Sequence, residues 1–256
     1  MKTPKRFTTA LILPVLLAAA LAFRAAPIVT IYLAGDSTMA AKANDKRPET
    51  GWGEALGACF NPATVRIVNR AVNGRSTKSF VAEGRWKAII DSLQPGDYVA
   101  IQFGHNDEKV DMPAGSTPEV YGENLARFVD QVREKDATPI LLTPVARRKW
   151  SDDSRLVDTH GKYPDVAYAI SRQKKVPFID MHRNSERVLE RYGPDSSKAL
   201  FLQLAPGEHP NYPAGVQDDT HFSPLGAREM AGLFVDGIRQ MGFGLREHLR
   251  SCPARP

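Results

Sequence analysis

Five short apolar runs, each separated from the next by polar or helically spaced sequence, constrain this chain more than any other feature. They are Ile28–Ala34, Val65–Asn69, Tyr98–Phe103, Pro139–Thr143 and Val176–Asp180. Runs of this length, nearly continuous in apolar residues, suit strands buried on both faces. Between and after them lie segments with helical spacing. Trp86–Leu93 stops at Gln94-Pro95-Gly96-Asp97, and Val120–Glu134 repeats Leu125, Phe128, Val129 and Val132 on one side. Asp165–Lys174 and Ser185–Arg191 are shorter stretches of the same kind. Leu225–Met241 aligns Met230, Leu233, Phe234 and Ile238 behind the helix start Ser223-Pro224. Such alternation predicts an α/β fold with a doubly wound sheet of about five parallel strands and helices on both faces. The Pro- and Gly-rich segment Ala199–Asp219 reads as a long loop between helices, of the kind that is either functional or disordered.

The 256 residues fit one domain, and a content of 42% hydrophobic and 25% charged residues is ordinary for a globular chain. The first residues read differently. Lys2, Lys5 and Arg6 precede the apolar stretch Ala10–Ala22, which is short for a membrane span and ends among small residues. Residues 1–26 are therefore expected to be a secretory signal peptide, the competing reading being an uncleaved anchor. A secreted or periplasmic location follows, with no membrane attachment after cleavage. The formal charge of +5 falls to +2 without Lys2, Lys5 and Arg6, and to +1 if Arg24 is also removed. The sequence pI of 9.2 thus gives no reason to expect a nucleic-acid partner, and no binding motif for one is present. Cys59 and Cys252 lack metal-ligand spacing. In an oxidising compartment they can pair, or they can remain two free thiols.

Polar clusters follow three of the strands: Gly35-Asp36-Ser37-Thr38, Asn73-Gly74-Arg75-Ser76 and Gly104-His105-Asn106-Asp107. Open α/β sheets bind ligands beyond the carboxyl ends of their strands, so these loops should converge on one crevice. Asp218-Asp219-Thr220-His221 comes near the C-terminus. Each residue alone has a bland reading: Ser37 as a helix cap, Gly74 and Asn106 as turn formers, His221 as a structural histidine. Together they supply what acyl transfer needs. Ser37 is the candidate nucleophile, His221 the base that takes its proton, and Asp218 the carboxylate that orients the base. The Ser37 and Gly74 backbone N–H groups and the Asn106 side-chain amide are candidate oxyanion donors.

In this order, the blocks Gly35-Asp36-Ser37, Gly74, Gly104-His105-Asn106-Asp107 and Asp218-Asp219-Thr220-His221 resemble the motif blocks of the SGNH, or GDSL-type, hydrolases. The surrounding residues resemble the rhamnogalacturonan acetylesterase branch. They include Gly51-Trp52-Gly53, Gly74-Arg75-Ser76-Thr77-Lys78-Ser79-Phe80, Glu83-Gly84-Arg85-Trp86, Thr159-His160-Gly161-Lys162-Tyr163-Pro164 and Thr220-His221-Phe222-Ser223. The resemblance implies a flavodoxin-like SGNH hydrolase domain over residues 27–256, with Ser37, Asp218 and His221 as the triad. It also implies Gly74 and Asn106 in the oxyanion hole, and no cofactor or metal. The implied activity is removal of O-acetyl groups from an acidic plant cell-wall polysaccharide through an acyl-enzyme. The family spacing Asp-x-x-His selects Asp218 over Asp219. His105, Arg75 and His160 are candidate contacts to the acidic substrate, while Arg85 and Lys78 read as solvated. The alternatives are a lipase- or thioesterase-like hydrolase of other small esters, and a catalytically silent carbohydrate-binding protein. The oligomeric state is left open.

Overall fold

The computed structural model describes residues 28–242 and 244–252, so the expected signal peptide lies outside the described residues. In chain order the elements are β1 (Val29–Gly35), the short α1 (Trp52–Ala55), β2 (Val65–Asn69), α2 (Thr77–Ala82), α3 (Arg85–Ser92), β3 (Tyr98–Gln102), α4 (Pro118–Arg133), β4 (Thr138–Leu142), α5 (Tyr163–Lys174), β5 (Phe178–Ile179), α6 (Met181–Ser196), β6 (Phe201–Leu204), β7 (Val216–Phe222) and α7 (Pro224–Met241). The five predicted strands form one parallel sheet in the order β2-β1-β3-β4-β5. In this flavodoxin-like order the switch point lies between β1 and β3, where neighbouring connections leave on opposite faces.

Strand alternation divides the core in two. Ile31, Leu33, Ala100, Ile140 and Leu142 face a cluster that includes Trp52 of α1, Val188 and Leu189 of α6, and Phe234 and Ile238 of α7. Tyr32, Ala34, Val99, Ile101 and Leu141 face the other cluster, filled by Phe80 of α2, Trp86 and Ile89 of α3, Phe128 and Val132 of α4, and Ala167 of α5. The indoles of Trp52 and Trp86 are packing groups: Trp52 is fully buried, and Trp86 stacks on Phe128 with ring centroids 3.9 Å apart.

The helix starts follow from local chemistry. Thr117 caps α4 by accepting from the Val120 N–H, Ser223 caps α7 by accepting from the Gly226 N–H, and a proline sits in the first turn of each. The predicted Ser185–Arg191 helix is longer than expected, spanning Met181–Ser196 with a break at Gly193-Pro194. The segment Ala199–Asp219 is not a loop between helices. It holds β6 and much of β7, an antiparallel hairpin whose Pro- and Gly-rich part is only the connection. Asn211 of that connection donates to the Asn44 and Arg47 carbonyls, and the Tyr212 hydroxyl donates to the Lys46 carbonyl, so the tip is tied to the chain that follows β1. Cys59 and Cys252 form a disulfide. Among the described residues no helix is long and apolar enough to cross a membrane.

Candidate active site

Ser37 sits in the turn directly after β1. Gly35 must be small there, since a Cβ would lie 2.7 Å from the Gln102 carbonyl oxygen of β3. Asp36 is fully buried and braces the turn, its Oδ1 accepting from the Thr38 N–H at 3.0 Å and the Thr38 hydroxyl at 2.8 Å. Gln102 joins this frame to the core, donating to Thr38 Oγ1 and accepting from the Trp52 indole. Ser37 itself remains 8% exposed at the mouth of the crevice.

His221 and Asp218 come from β7, across the molecule in sequence. His221 Nε2 lies 2.9 Å from Ser37 Oγ, and its Nδ1 lies 2.7 Å from Asp218 Oδ2. The hairpin makes this contact possible by losing register. Leu202 pairs with Asp218, yet Phe201 pairs with Phe222, so residues 219–221 arch out of the ladder. The arch closes on Asp218, whose Oδ1 accepts from the Thr220 and His221 N–H groups. Burial pushes the Asp218 carboxyl upward, but its bonds to His221 and Thr220 outweigh that and hold it below the usual range. Asp219 turns away, paired with Arg148 at 2.8 Å and accepting from the Gln203 amide. A line of this kind can carry a proton from Ser37 Oγ to Nε2 while Asp218 holds the other ring nitrogen.

The loops after β2 and β3 face the same turn. Gly74 has φ +74°, a conformation that favours glycine, and a Cβ there would meet nothing within 4 Å. Asn106 is 7% exposed; its Nδ2 donates one hydrogen to the Arg75 carbonyl at 3.1 Å, leaving a second for a ligand. A buried cation that the sequence reading did not single out ties the first two loops together. Lys42 Nζ donates to the Ser37 carbonyl at 2.5 Å and to Asn73 Oδ1 at 2.9 Å, and pairs with Glu49 at 2.7 Å. Its side chain is 1% exposed, and all three of its donors are used. Nothing in the sequence distinguishes this lysine from a solvated one.

Two of the three candidate substrate contacts belong to the layer beneath the crevice. His105 and His160 are each 2% exposed. His105 packs 3.3 Å from Asp36 Oδ2, and His160 is held between Glu108 Oε2 at 2.7 Å and the Val145 carbonyl at 2.8 Å. Burial lowers the His105 pKa to about 4, only partly offset by Asp36, so the ring is neutral at neutral pH. Burial would raise Asp36, yet His105 and the Thr38 donors outweigh it and lower the pKa to about 2. Arg75 is at the surface, but its guanidinium is engaged by Glu83, which also pairs with Arg85. Asp107 supports the loop from below, accepting from Thr77 and Ser116. Burial is stronger than these bonds and raises its pKa to about 6. Among the described residues no group of three or more His, Cys, Asp or Glu side chains is placed to hold a metal ion.

A serine, histidine and aspartate in line at the carboxyl edge of a doubly wound parallel sheet form the constellation of α/β serine hydrolases. The chain belongs to the GDSL-like lipase/acylhydrolase family, which it matches over residues 33–229. It is 43% identical over 224 residues to the rhamnogalacturonan acetylesterase RhgT of Bacillus subtilis (strain 168), covering 87% of this chain and 95% of that protein. It is 35% identical, again over 224 residues, to the probable rhamnogalacturonan acetylesterase YesY of the same organism, covering 86% of this chain and 96% of that protein. Among solved structures, that of YxiM from Bacillus subtilis superposes with a TM-score of 0.73 at 25% identity. The match covers 85% of this chain and 58% of that one.

Proposed function

We propose that this protein is a serine acetylesterase that removes O-acetyl groups from an acidic plant cell-wall polysaccharide of the rhamnogalacturonan type. The observation that carries the chemistry is the unbroken line Ser37 Oγ, His221, Asp218, with contacts of 2.9 and 2.7 Å. In this reading His221 Nε2 takes the Ser37 proton as Oγ attacks the acetyl carbonyl carbon. The tetrahedral oxyanion is held by the Ser37 and Gly74 N–H groups and the free Asn106 hydrogen. The imidazolium then gives its proton to the departing sugar hydroxyl, leaving acetyl-Ser37. Water, deprotonated by His221, releases acetate and restores the serine. The substrate class rests on likeness to RhgT and YesY. Export belongs to the same proposal, supported by the Cys59–Cys252 disulfide, a bond that persists in oxidising compartments.

The test is acetate release from acetylated rhamnogalacturonan, acetylated xylan and small aryl esters, with wild type and Ser37→Ala compared. Wild type should prefer the rhamnogalacturonan and favour acetyl over octanoyl esters. Ser37→Ala should fall roughly a thousandfold or more while keeping its fold. Near-normal turnover by Ser37→Ala would refute the mechanism, and a preference for octanoyl esters would move the enzyme among the lipases.

A further inference from the structure

We infer that Lys109 is the residue that recognises the carboxylate of the acidic polymer, gripping a uronate next to the acetylated sugar; this rests on the proposed function above. Several cations around the crevice already face a carboxylate. Lys42 is paired with Glu49, Arg75 and Arg85 share Glu83, Arg147 is paired with Glu108, and Arg148 with Asp219. A cation already facing a carboxylate gains little from a second one. Lys109 is exposed and has no acidic side chain within 4.0 Å among the described residues, yet it touches the site. Its Nζ donates to Asn106 Oδ1 at 3.1 Å. An ammonium has three donors, so two remain for a ligand beside the amide that faces the reacting carbonyl.

The backbone that carries the ammonium is also held in place. The loop after Asn106 is braced by short backbone bonds: Glu108 N–H to the Gly104 carbonyl at 3.0 Å, Met112 N–H to the Lys109 carbonyl at 2.8 Å, and Ser116 N–H to the Asp107 carbonyl at 2.9 Å. Gly115 packs so closely over the Lys109 carbonyl that a Cβ would overlap it. A cation on a braced loop, with one donor already engaged by Asn106, loses less freedom when a carboxylate arrives. On the same loop Val110 and Met112 are 52% and 59% exposed, offering apolar surface suited to the C–H face of a pyranose. A polymer lying over this loop would meet apolar surface, then the ammonium, then the oxyanion amide.

The experiment compares Lys109→Gln and Lys109→Arg with wild type on three acetyl esters: an acetylated rhamnogalacturonan oligosaccharide, the same oligosaccharide with its uronates reduced to neutral sugars, and 4-nitrophenyl acetate. Lys109→Gln should raise KM for the acidic oligosaccharide about tenfold more than for either neutral ester, while any loss through the bond to Asn106 falls on kcat and is shared by all three. Lys109→Arg should restore most of the affinity. Added salt should weaken wild type on the acidic substrate and leave Lys109→Gln nearly indifferent. An equal loss on all three esters would overturn the inference, since Lys109 would then act by polarising Asn106. No change on any ester would overturn it as well. A wild type that hydrolyses 4-nitrophenyl acetate but neither oligosaccharide would overturn the polysaccharide reading itself, and the inference with it.

Discussion

Asp218 and Asp219 are adjacent and chemically identical, and the backbone gives them different surroundings. Asp218 closes the arch of residues 219–221 and meets His221, whereas Asp219 points to Arg148 and Gln203 on the outer side. Asparagine at 218 would present the wrong hydrogen-bonding pattern to Nδ1, lowering kcat/KM on a small acetyl ester by up to about ten-thousandfold. Asparagine at 219 keeps the bond from Gln203 and loses only a half-exposed ion pair, so its cost should be about tenfold at most. Both rates, with thermal melts to check folding, decide the matter; a crippled Asp219→Asn beside a normal Asp218→Asn would move the orienting role by one residue. At this scale the sequence was informative where a residue type is rare in its role. Ser37, Asn106 and His221 stand out as polar clusters behind apolar runs. Lys42 does not, because a buried lysine and a solvated one look alike until the acceptors from Ser37, Asn73 and Glu49 are assembled around it. His105 and His160 mislead for the converse reason: they adjoin motif residues, but the chain turns their rings inward.

The loop from Gly104 to Ser116 carries two buried titrating groups that oppose each other. His105 has its pKa lowered by burial from 6.5 to about 4, so its share of stability is complete above pH 6.5 and lost as the pH falls toward 4. Asp107 has its pKa raised by burial from 3.8 to about 6, so its share is complete below pH 3.8 and lost as the pH rises toward 6. Over the shared window the two slopes run in opposite directions. Replacing His105 by Gln removes one of them. The stability of wild type minus that of His105→Gln should therefore grow as the pH rises from 4 to 6.5, the more so because Asp36 loses the partner that offsets its burial, as read by urea unfolding at each pH. A difference that stays level across that range would show the ring to be titrating as if in water. Elements with a sustained apolar period were legible from sequence, and their ends moved by only a residue or two, as for α4 and α7. α2 was not, since six residues give no repeating stripe and its start depends on a capping box between Ser76 and Ser79. The β6–β7 hairpin was hidden by its own connection, where Pro206, Gly207, Pro210, Pro213 and Gly215 mask the short strands on either side.

Across the whole molecule, the two cysteines join the last described segment to the 3-10 turn that follows α1. The Arg250 N–H donates to the Cys59 carbonyl, the Asn61 N–H donates to the His248 carbonyl, and the disulfide fixes this strap over a sequence separation of 193 residues. A link that long restricts the unfolded chain strongly, by up to about 5 kcal/mol. Cys59→Ser, or reduction of the wild type, should lower the melting temperature by up to about 15 °C. Neither cysteine is hydrogen-bonded to the triad, so activity at room temperature should stay within about twofold of normal. Thermal melts with and without reductant, alongside a thiol count, test this; an unchanged melt with both thiols titratable would mean the pair is open in solution. A related consequence comes from the 184 positions that separate Ser37 from His221, its proposed base. Synthesis proceeds from the nucleophile toward the base, so a growing chain carries Ser37 through almost its entire production with nothing to take its proton. With the proposed triad, the emerging polypeptide would be chemically silent toward esters until β7 has been made and His221 has reached the turn after β1, which would make hydrolysis itself a report that these two distant segments have met.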